Sequence, residues 1–147
     1  MSEASGPQVI LAFDFGRKRI GLAAGDTLTR SAAPLTAVQV SSSGPDWSAI
    51  ERNLRSLHPG RLVVGEPYNA DGTPSALTIA ARDFASDLGK RFGLPVNMVD
   101  ERWSSLEASE LLKARRSSGE RRRRIRREDI DSAAAAVILQ RWFAGEG

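Results

Sequence analysis

The most constraining feature of the sequence is an apolar run, residues 9–15, that carries a single carboxylate, Asp14, near its end. The run is rich in strand-favouring residues and stops at Gly16, as a buried strand would. Two interpretations of Asp14 follow from the residues alone: a turn residue that bonds the Gly16 backbone, or part of a functional site. In either case we expect the chain to build a sheet around this strand.

Strands and helices alternate in the rest of the chain, which predicts an α/β domain with a five-stranded mixed sheet and helices on both faces. After residues 9–15, further strands are predicted at residues 19–24, 33–40, 61–65 and 96–99. Pro34 favours an edge position for the third strand, because proline cannot donate to the ladder. Residues 41–45 are predicted to form a loop.

Four helices are predicted from capping residues and apolar spacing. Asp46 caps the first, which buries Trp47, Ile50, Leu54 and Leu57. The second has Thr73 as its N-cap and Pro74 in its first turn, buries Leu77, Ala80, Phe84 and Leu88, and stops at Gly93. The third opens with the capping-box spacing of Ser104 and Glu107. The fourth covers residues 129–143.

Composition excludes several kinds of site. The 147 residues include no cysteine and one histidine, His58, which argues against disulfides, thiolate metal sites and a Ser-His-Asp triad. The N-terminus has neither the basic start nor the apolar run of a signal peptide, so we expect a cytoplasmic protein. We expect one domain over residues 1–147, with flexible ends at 1–7 and 144–147.

Three acids stand out by position. Asp14 lies near the end of the first strand, Glu101 follows the fifth, and Asp131 precedes the alanines at 133–136. An alanine run lets a helix approach a sheet closely, which would bring Asp131 near the strand ends. Clustered carboxylates repel one another at pH 7 unless a cation compensates them, and oxygen ligands suit Mg²⁺ or Mn²⁺.

Plainer interpretations of the other two acids also fit the residues. Glu101 beside Arg102 is consistent with a surface ion pair. Asp131 is consistent with a helix-dipole partner near an N-terminus. If the three acids share a site, two metal ions could activate a water and stabilise the leaving oxygen of a phosphodiester.

Basic residues lie near the acids and in one dense segment. The first group is the turn at Arg17, Lys18 and Arg19, which suits phosphate binding or a simple charged hairpin. The second is an arm at residues 114–128 that includes Arg121, Arg122, Arg123 and Arg124 and is expected to be mobile without a ligand. Such a strip on a near-neutral body indicates a polyanion partner, although a solvated arm that aids solubility has the same composition.

Four ordered segments resemble the YqgF/RuvX family, from about Val9 to Phe143. They are residues 11–16 with 19–21, residues 63–65 with Pro67, Asn69 and 71–73, residues 100–102 with Ser104, and residues 131–135. The resemblance implies a ribonuclease-H-like fold, the catalytic and metal-binding acids Asp14, Glu101 and Asp131, and nucleic-acid contacts that include Arg102. Glu66 stands where the family usually has leucine, either as a surface substitution or as a fourth acid near the site.

The resemblance also implies a function. It predicts a divalent-metal-dependent nuclease that processes the 5′ end of pre-16S ribosomal RNA, with resolution of Holliday junctions in branched DNA as the alternative. A monomer or a homodimer is compatible with it. A non-catalytic nucleic-acid-binding module is a further hypothesis from the basic arm alone. An actin- or sugar-kinase-like phosphate binder ranks last, because the chain is too short for two such domains.

Overall fold

The computed structural model describes residues 6–100 and 127–146, with side chains described over residues 6–100 and 132–145. Its elements, in chain order, are β1 (Val9–Asp14), β2 (Arg19–Asp26), β3 (Ala32–Ser41), β4 (Gly44–Pro45), α1 (Trp47–Leu57), β5 (Arg61–Glu66), α2 (Ala76–Phe92), β6 (Val96–Asp100) and α3 (Arg127–Glu146). The predicted helix that begins at Ser104 lies outside the described residues.

The strands form one mixed sheet in the order β4-β3-β2-β1-β5-β6. Strand β2 pairs antiparallel with both β1 and β3, whereas β5 pairs parallel with both β1 and β6. The prediction of five strands was wrong by one, because Gly44 and Pro45 pair with the end of β3 where a loop was expected. Gly44 has a φ of 110°, which permits the tight reversal that brings this short strand back.

Alternation along the strands sends side chains to two faces, and each face has its own helices. Residues of β1 such as Leu11 and Phe13 pack with buried residues of α1 and α2. Their neighbours Ile10 and Ala12 pack on the opposite face, with Ile138 and other residues of α3. The predicted mixed sheet with helices on both faces is therefore confirmed.

Helix α1 begins after its predicted cap and buries Ile50 and Leu54 as expected, but Trp47 and Leu57 are only partly buried; α2 begins later than predicted. Asp46 caps α1 by accepting from the Ala49 amide. The N-cap of α2 is Ser75, which forms a reciprocal capping box with Thr78. The predicted cap, Thr73, instead donates to Asp71 within the preceding loop, at 2.7 Å from its hydroxyl. The helix therefore begins two residues later than predicted, because Thr73 bonds within the loop and Ser75 provides the cap.

The buried side of α2 is also rotated slightly from the prediction. Phe84 and Leu88 are buried as expected, whereas Leu77 and Ala80 are only partly buried. The second helix ends at Gly93, as predicted, where the chain turns with a φ of 66°.

Helix α3 is longer than its sequence pattern indicated. It includes residues 127 and 128, which were assigned to the basic arm, and residues 144–146, which were assigned to a flexible end. Near its C-terminus, the guanidinium of Arg30 donates to the carbonyl oxygen of Phe143. A cation that bonds the last carbonyls of a helix stabilises that end, and this long-range contact has no local sequence signal.

Candidate active site

Asp14 is the last residue of β1, a central strand of the sheet. Phe13 pairs with Val64 of β5, so Asp14 stands at the carboxyl end shared by these two parallel strands. The two preceding β1 residues that face α3 are Ile10 and Ala12, and alternation places Asp14 on the same face. Asp14 is partly buried, so it lies at the boundary between the hydrophobic core and solvent.

The turn that follows Asp14 is tight. A Cβ at Gly16 would lie 2.5 Å from the Arg19 carbonyl oxygen, a distance that no side chain tolerates. Arg17 and Lys18 are exposed on the turn, while Arg19 is partly buried as the first residue of β2. The Lys18 carbonyl accepts from the Val40 amide at 2.9 Å, which ties the turn to β3. Arg17, Lys18 and Arg19 thus follow Asp14 on a closely held turn, and their contact with a substrate stays a prediction.

The parallel strands β5 and β6 end at the same edge of the sheet. Glu66 pairs with Asp100 in the ladder, and each is the last residue of its strand. Asp100 lies two strands from Asp14, which corresponds to roughly 10 Å at the usual strand spacing. Glu101, the next residue in the sequence, lies outside the described residues.

The N-terminal part of α3 is anchored near this edge. The Ser132 hydroxyl, almost fully buried, donates to the Leu35 carbonyl oxygen at 2.6 Å. Leu35 pairs with Leu22, which in turn pairs with Phe13 beside Asp14. Asp131 directly precedes Ser132, so its backbone lies near the end of the sheet that carries Asp14; its side chain is not among those described.

The alanines after Ser132 explain the close approach. Ala135 and Ala136 pack against Ala23 of β2, and Ala23 and Ala135 are both completely buried. Because neither surface carries more than a methyl group, the helix and the sheet meet at short range. The predicted contact of the alanine run with the sheet is confirmed.

Glu66 faces the other side of the sheet. Its carboxylate accepts from the Arg82 Nε, and Arg82 also donates to the Tyr68 hydroxyl at 3.0 Å. The hydrogen bond that Arg82 donates to Glu66 is the main cause that raises the pKa of Arg82. The alternation of β5 places Glu66 on the α2 face, opposite the side of Asp14. Sequence reasoning missed Arg82, because its partner is sixteen residues away and no local pattern pairs them.

The loop from β5 to α2 closes on itself beside this edge. The Asn69 amide donates to the Thr73 carbonyl at 2.9 Å, and Tyr68 bridges to Pro74. The carboxylate of Asp71 accepts from the Thr73 hydroxyl and amide, which lowers its pKa below the ordinary value of 3.8. Residues 69–73 therefore form a loop that is closed by its own hydrogen bonds.

The remaining predicted site residues are not described. Arg102 and the arginines at 121–124 lie outside the described residues, as does most of the arm at 114–128. Within the part of the chain that has described side chains, no three acids or histidines gather closely enough to hold a metal ion. Among the described helices, none is long and apolar enough to cross a membrane.

Comparison with known proteins gives the family. The family model described as RuvX, Holliday junction resolvase, matches residues 8–145. A protein of Coxiella burnetii named "Putative pre-16S rRNA nuclease" is 44% identical over 134 residues, which cover 91% of this chain and 91% of the relative. A protein of the same name from Cronobacter sakazakii is 44% identical over 138 residues, covering 94% and 97% of the two chains.

Solved structures agree on the fold. Thermus thermophilus RuvC in complex with a Holliday junction substrate superimposes with a TM-score of 0.57 at 18% identity, covering 94% of both chains. The yeast mitochondrial Holliday junction resolvase Ydc2 gives 0.51 at 10% identity, covering 91% of this chain and 77% of the other. The fold is ribonuclease-H-like, as predicted. Because the family model matches almost the whole of this chain and relatives are 44% identical to it, this chain belongs to the RuvX family.

Proposed function

We propose that this protein is a divalent-metal-dependent nuclease that processes pre-16S ribosomal RNA at its 5′ end. One observation carries the proposal: the carboxylate of Asp14 ends a central strand at the edge near which the Ser132–Leu35 bond anchors the start of α3. Glu101, directly after the end of β6, and Asp131, directly before Ser132, are proposed as the other catalytic acids. The name of the 44%-identical relatives supports the choice of RNA substrate.

The donor set fits Mg²⁺ or Mn²⁺. Asp14, Glu101 and Asp131 offer only carboxylate oxygens, the ligands that these hard cations prefer, and the chain has no cysteine. When bound, such ions supply charge compensation and polarise a water and a phosphodiester oxygen for hydrolysis. The protein's own contribution is to hold Asp14 on a rigid central strand and to fix the start of α3 through the buried Ser132 hydroxyl.

The cations near the strand ends are proposed to hold substrate phosphates. Arg17 and Lys18 are exposed beside Asp14, and contacts of this kind orient a backbone without reading its sequence. Arg19 and Arg102 are proposed to act with them. The arginines at 121–124 are proposed to neutralise further phosphates, which makes binding steeply dependent on salt.

The test compares wild-type protein with Asp14→Asn and a matched control, Asp83→Asn, which removes an exposed carboxylate from α2. End-labelled pre-16S RNA is incubated with each protein and Mg²⁺ or Mn²⁺. We expect cleavage by the wild type and the control, none by Asp14→Asn, and the same thermal unfolding for all three. Cleavage that survives in Asp14→Asn would refute the assignment of Asp14. Binding without cleavage by the wild type would favour an accessory nucleic-acid-binding module.

A second candidate function is resolution of Holliday junctions, favoured by the description of the family model and by the match to RuvC bound to a junction. It would use the same three acids. Resolution needs two sites that face two strands, so it requires a homodimer, whereas RNA processing is compatible with a monomer. A four-way DNA junction in the same assay, with the oligomeric state measured at the working concentration, separates the two functions.

The domain organisation and the cellular location of the enzyme are proposed as well. We propose that residues 1–147 form one domain and that the protein works in the cytoplasm, where ribosomal RNA precursors are made and trimmed. Measurement of the protein's distribution after cell fractionation tests the second point.

A further inference from the structure

A groove runs along the flank of the molecule between α2 and the outer strand β6. It has a volume of about 430 Å³ and is lined by eight residues. One wall is the helix, with Arg82, Ser86 and Lys90; the other is apolar, with Leu94, Val96 and Met98. The groove lies on the α2 face of the sheet, whereas Asp14 is on the opposite face, which packs with α3.

The polar wall is a regular row. Arg82, Ser86 and Lys90 are each four residues apart on α2, so they repeat at intervals of about 6 Å along one side of the helix. All three are exposed. The row therefore offers hydrogen-bond donors to a linear ligand at a repeated spacing, and two of the three positions are cationic.

The charged side chains that line the groove, Arg82 and Lys90, are both cations. None of the eight lining residues is acidic, although the exposed Asp83 and Asp87 follow Arg82 and Ser86 directly on the same helix. Glu66, which pairs with Arg82, is more deeply placed than its partner: its side chain is 15% exposed, against 45% for Arg82. The solvent-facing member of that pair is thus the cation.

Arg82 is also held in place. Its Nε donates to Glu66 and its Nη2 to the Tyr68 hydroxyl, while its guanidinium lies 5.9 Å from the centre of the Tyr68 ring. These contacts use two of the three guanidinium nitrogens, and the third can reach a ligand. Because the side chain is already fixed by its neighbours, a ligand that binds it loses less side-chain entropy.

The position of the groove connects it with the proposed active site. Met98 is two residues before the end of β6, and Arg82 bonds the last residue of β5. The groove therefore starts near the edge of the sheet where the parallel strands end. A strand of nucleic acid that crosses this edge can continue down the flank, between the cations of α2 and the apolar wall of β6.

From these observations we propose that the groove binds the ribose–phosphate backbone of a single-stranded extension of the substrate, next to the segment that is cleaved. Phosphates bind the Arg82–Ser86–Lys90 row, and the apolar wall covers riboses or base edges. None of the described residues that line the groove is aromatic, so these contacts do not include base stacking and are independent of sequence. This inference rests on the proposed function, because it specifies the substrate as one that carries a single-stranded flank.

The test measures binding, not cleavage, in an Asp14→Asn background. Fluorescence anisotropy is recorded with one RNA duplex in three forms: blunt, with a 5′ extension and with a 3′ extension. Lys90→Ala and Ser86→Glu are compared with Arg52→Ala, which removes an exposed cation from α1. We expect one extension to tighten binding, and Lys90→Ala to weaken binding of that RNA and reduce its salt slope by about 0.7. Ser86→Glu should weaken it further, while Arg52→Ala should leave binding of the extended RNA as in the parent.

The outcomes separate the two proposals. Equal weakening of blunt and extended RNA by Lys90→Ala, or no weakening of either, overturns the groove assignment. Cleavage by the wild-type protein together with unchanged extension binding in Lys90→Ala leaves the nuclease assignment standing and rejects only the groove. Extension-specific binding through Lys90 without cleavage by the wild type rejects the nuclease and retains the groove as a nucleic-acid site.

Discussion

Substitution of Ala135 by leucine tests whether the alanine contact sets the position of the start of α3. Ala135 is completely buried against Ala23, which is also completely buried. Leucine adds three carbon atoms at a place where both surfaces carry only methyl groups. Since the interior is close-packed, these atoms can be accommodated only if the helix moves away from β2 or the surrounding side chains distort.

The expected magnitude has two parts. Overpacking of a buried site costs about 1–3 kcal/mol of unfolding free energy. For a chain of this size, that lowers the melting temperature by on the order of 5 °C. The effect on catalysis is larger, because a shift of the helix also shifts Asp131, and a displacement of about 1 Å can reduce the rate about 100-fold.

Two further variants separate positioning from stability. Ala135→Gly costs about 1 kcal/mol through helix propensity but leaves the short approach intact, so it should retain cleavage. Ala144→Leu changes an exposed position of the same helix and should behave as wild type. Rates are measured with saturating RNA, well below the melting temperature of every variant. Cleavage at the wild-type rate by Ala135→Leu would show that the alanine contact does not position the proposed catalytic acid, Asp131.

Two other perturbations test local features of the structure. Gly25→Ala should destabilise the protein by about 1–3 kcal/mol, because its Cβ would lie 2.0 Å from the Ser31 carbonyl oxygen. Gly145→Ala, which has open space around the new Cβ, should leave the stability unchanged. Equal denaturant midpoints for the two variants would contradict the first expectation. The lowered pKa of Asp71 means that the Thr73 hydrogen bonds stabilise the loop above pH 3.8 and that this contribution is lost as the pH falls through the lowered pKa. An NMR titration of the Asp71 carboxyl carbon should therefore show a midpoint below 3.8, and a midpoint at or above that value would refute the bond.

Most of the sheet could be predicted from local pattern, and the exceptions have physical causes. The buried strands β1 and β5 are short apolar runs bounded by polar or turn residues, which is a strong signal for a fully covered strand. The two-residue β4 has no such run, since it forms by pairing with a strand that is already in place. Pairing of this kind depends on tertiary proximity and leaves no periodicity in the sequence.

The candidate site was predictable to a similar degree. Asp14 could be singled out because an acid within an apolar strand is unusual, and the alanine run correctly indicated a helix that approaches the sheet closely. The role of Glu66 could not be decided, because its side-chain direction depends on the register of β5 and on Arg82 of a later helix. Long-range pairs of this type set the electrostatics of an edge, yet each member looks like an ordinary surface charge.

The packing of α3 has a consequence for synthesis of the protein. Ile10 and Ala12 of β1 are buried by Ile138 and Leu139, more than 120 residues later in the chain. One face of the central strand therefore stays uncovered while the intervening chain is translated, and Asp14 lacks its proposed partner Asp131 for the same period. A nascent chain in which α3 has not yet packed on the sheet would lack part of the proposed site. The proposed activity would therefore depend on this long-range packing as well as on synthesis of Asp14 itself.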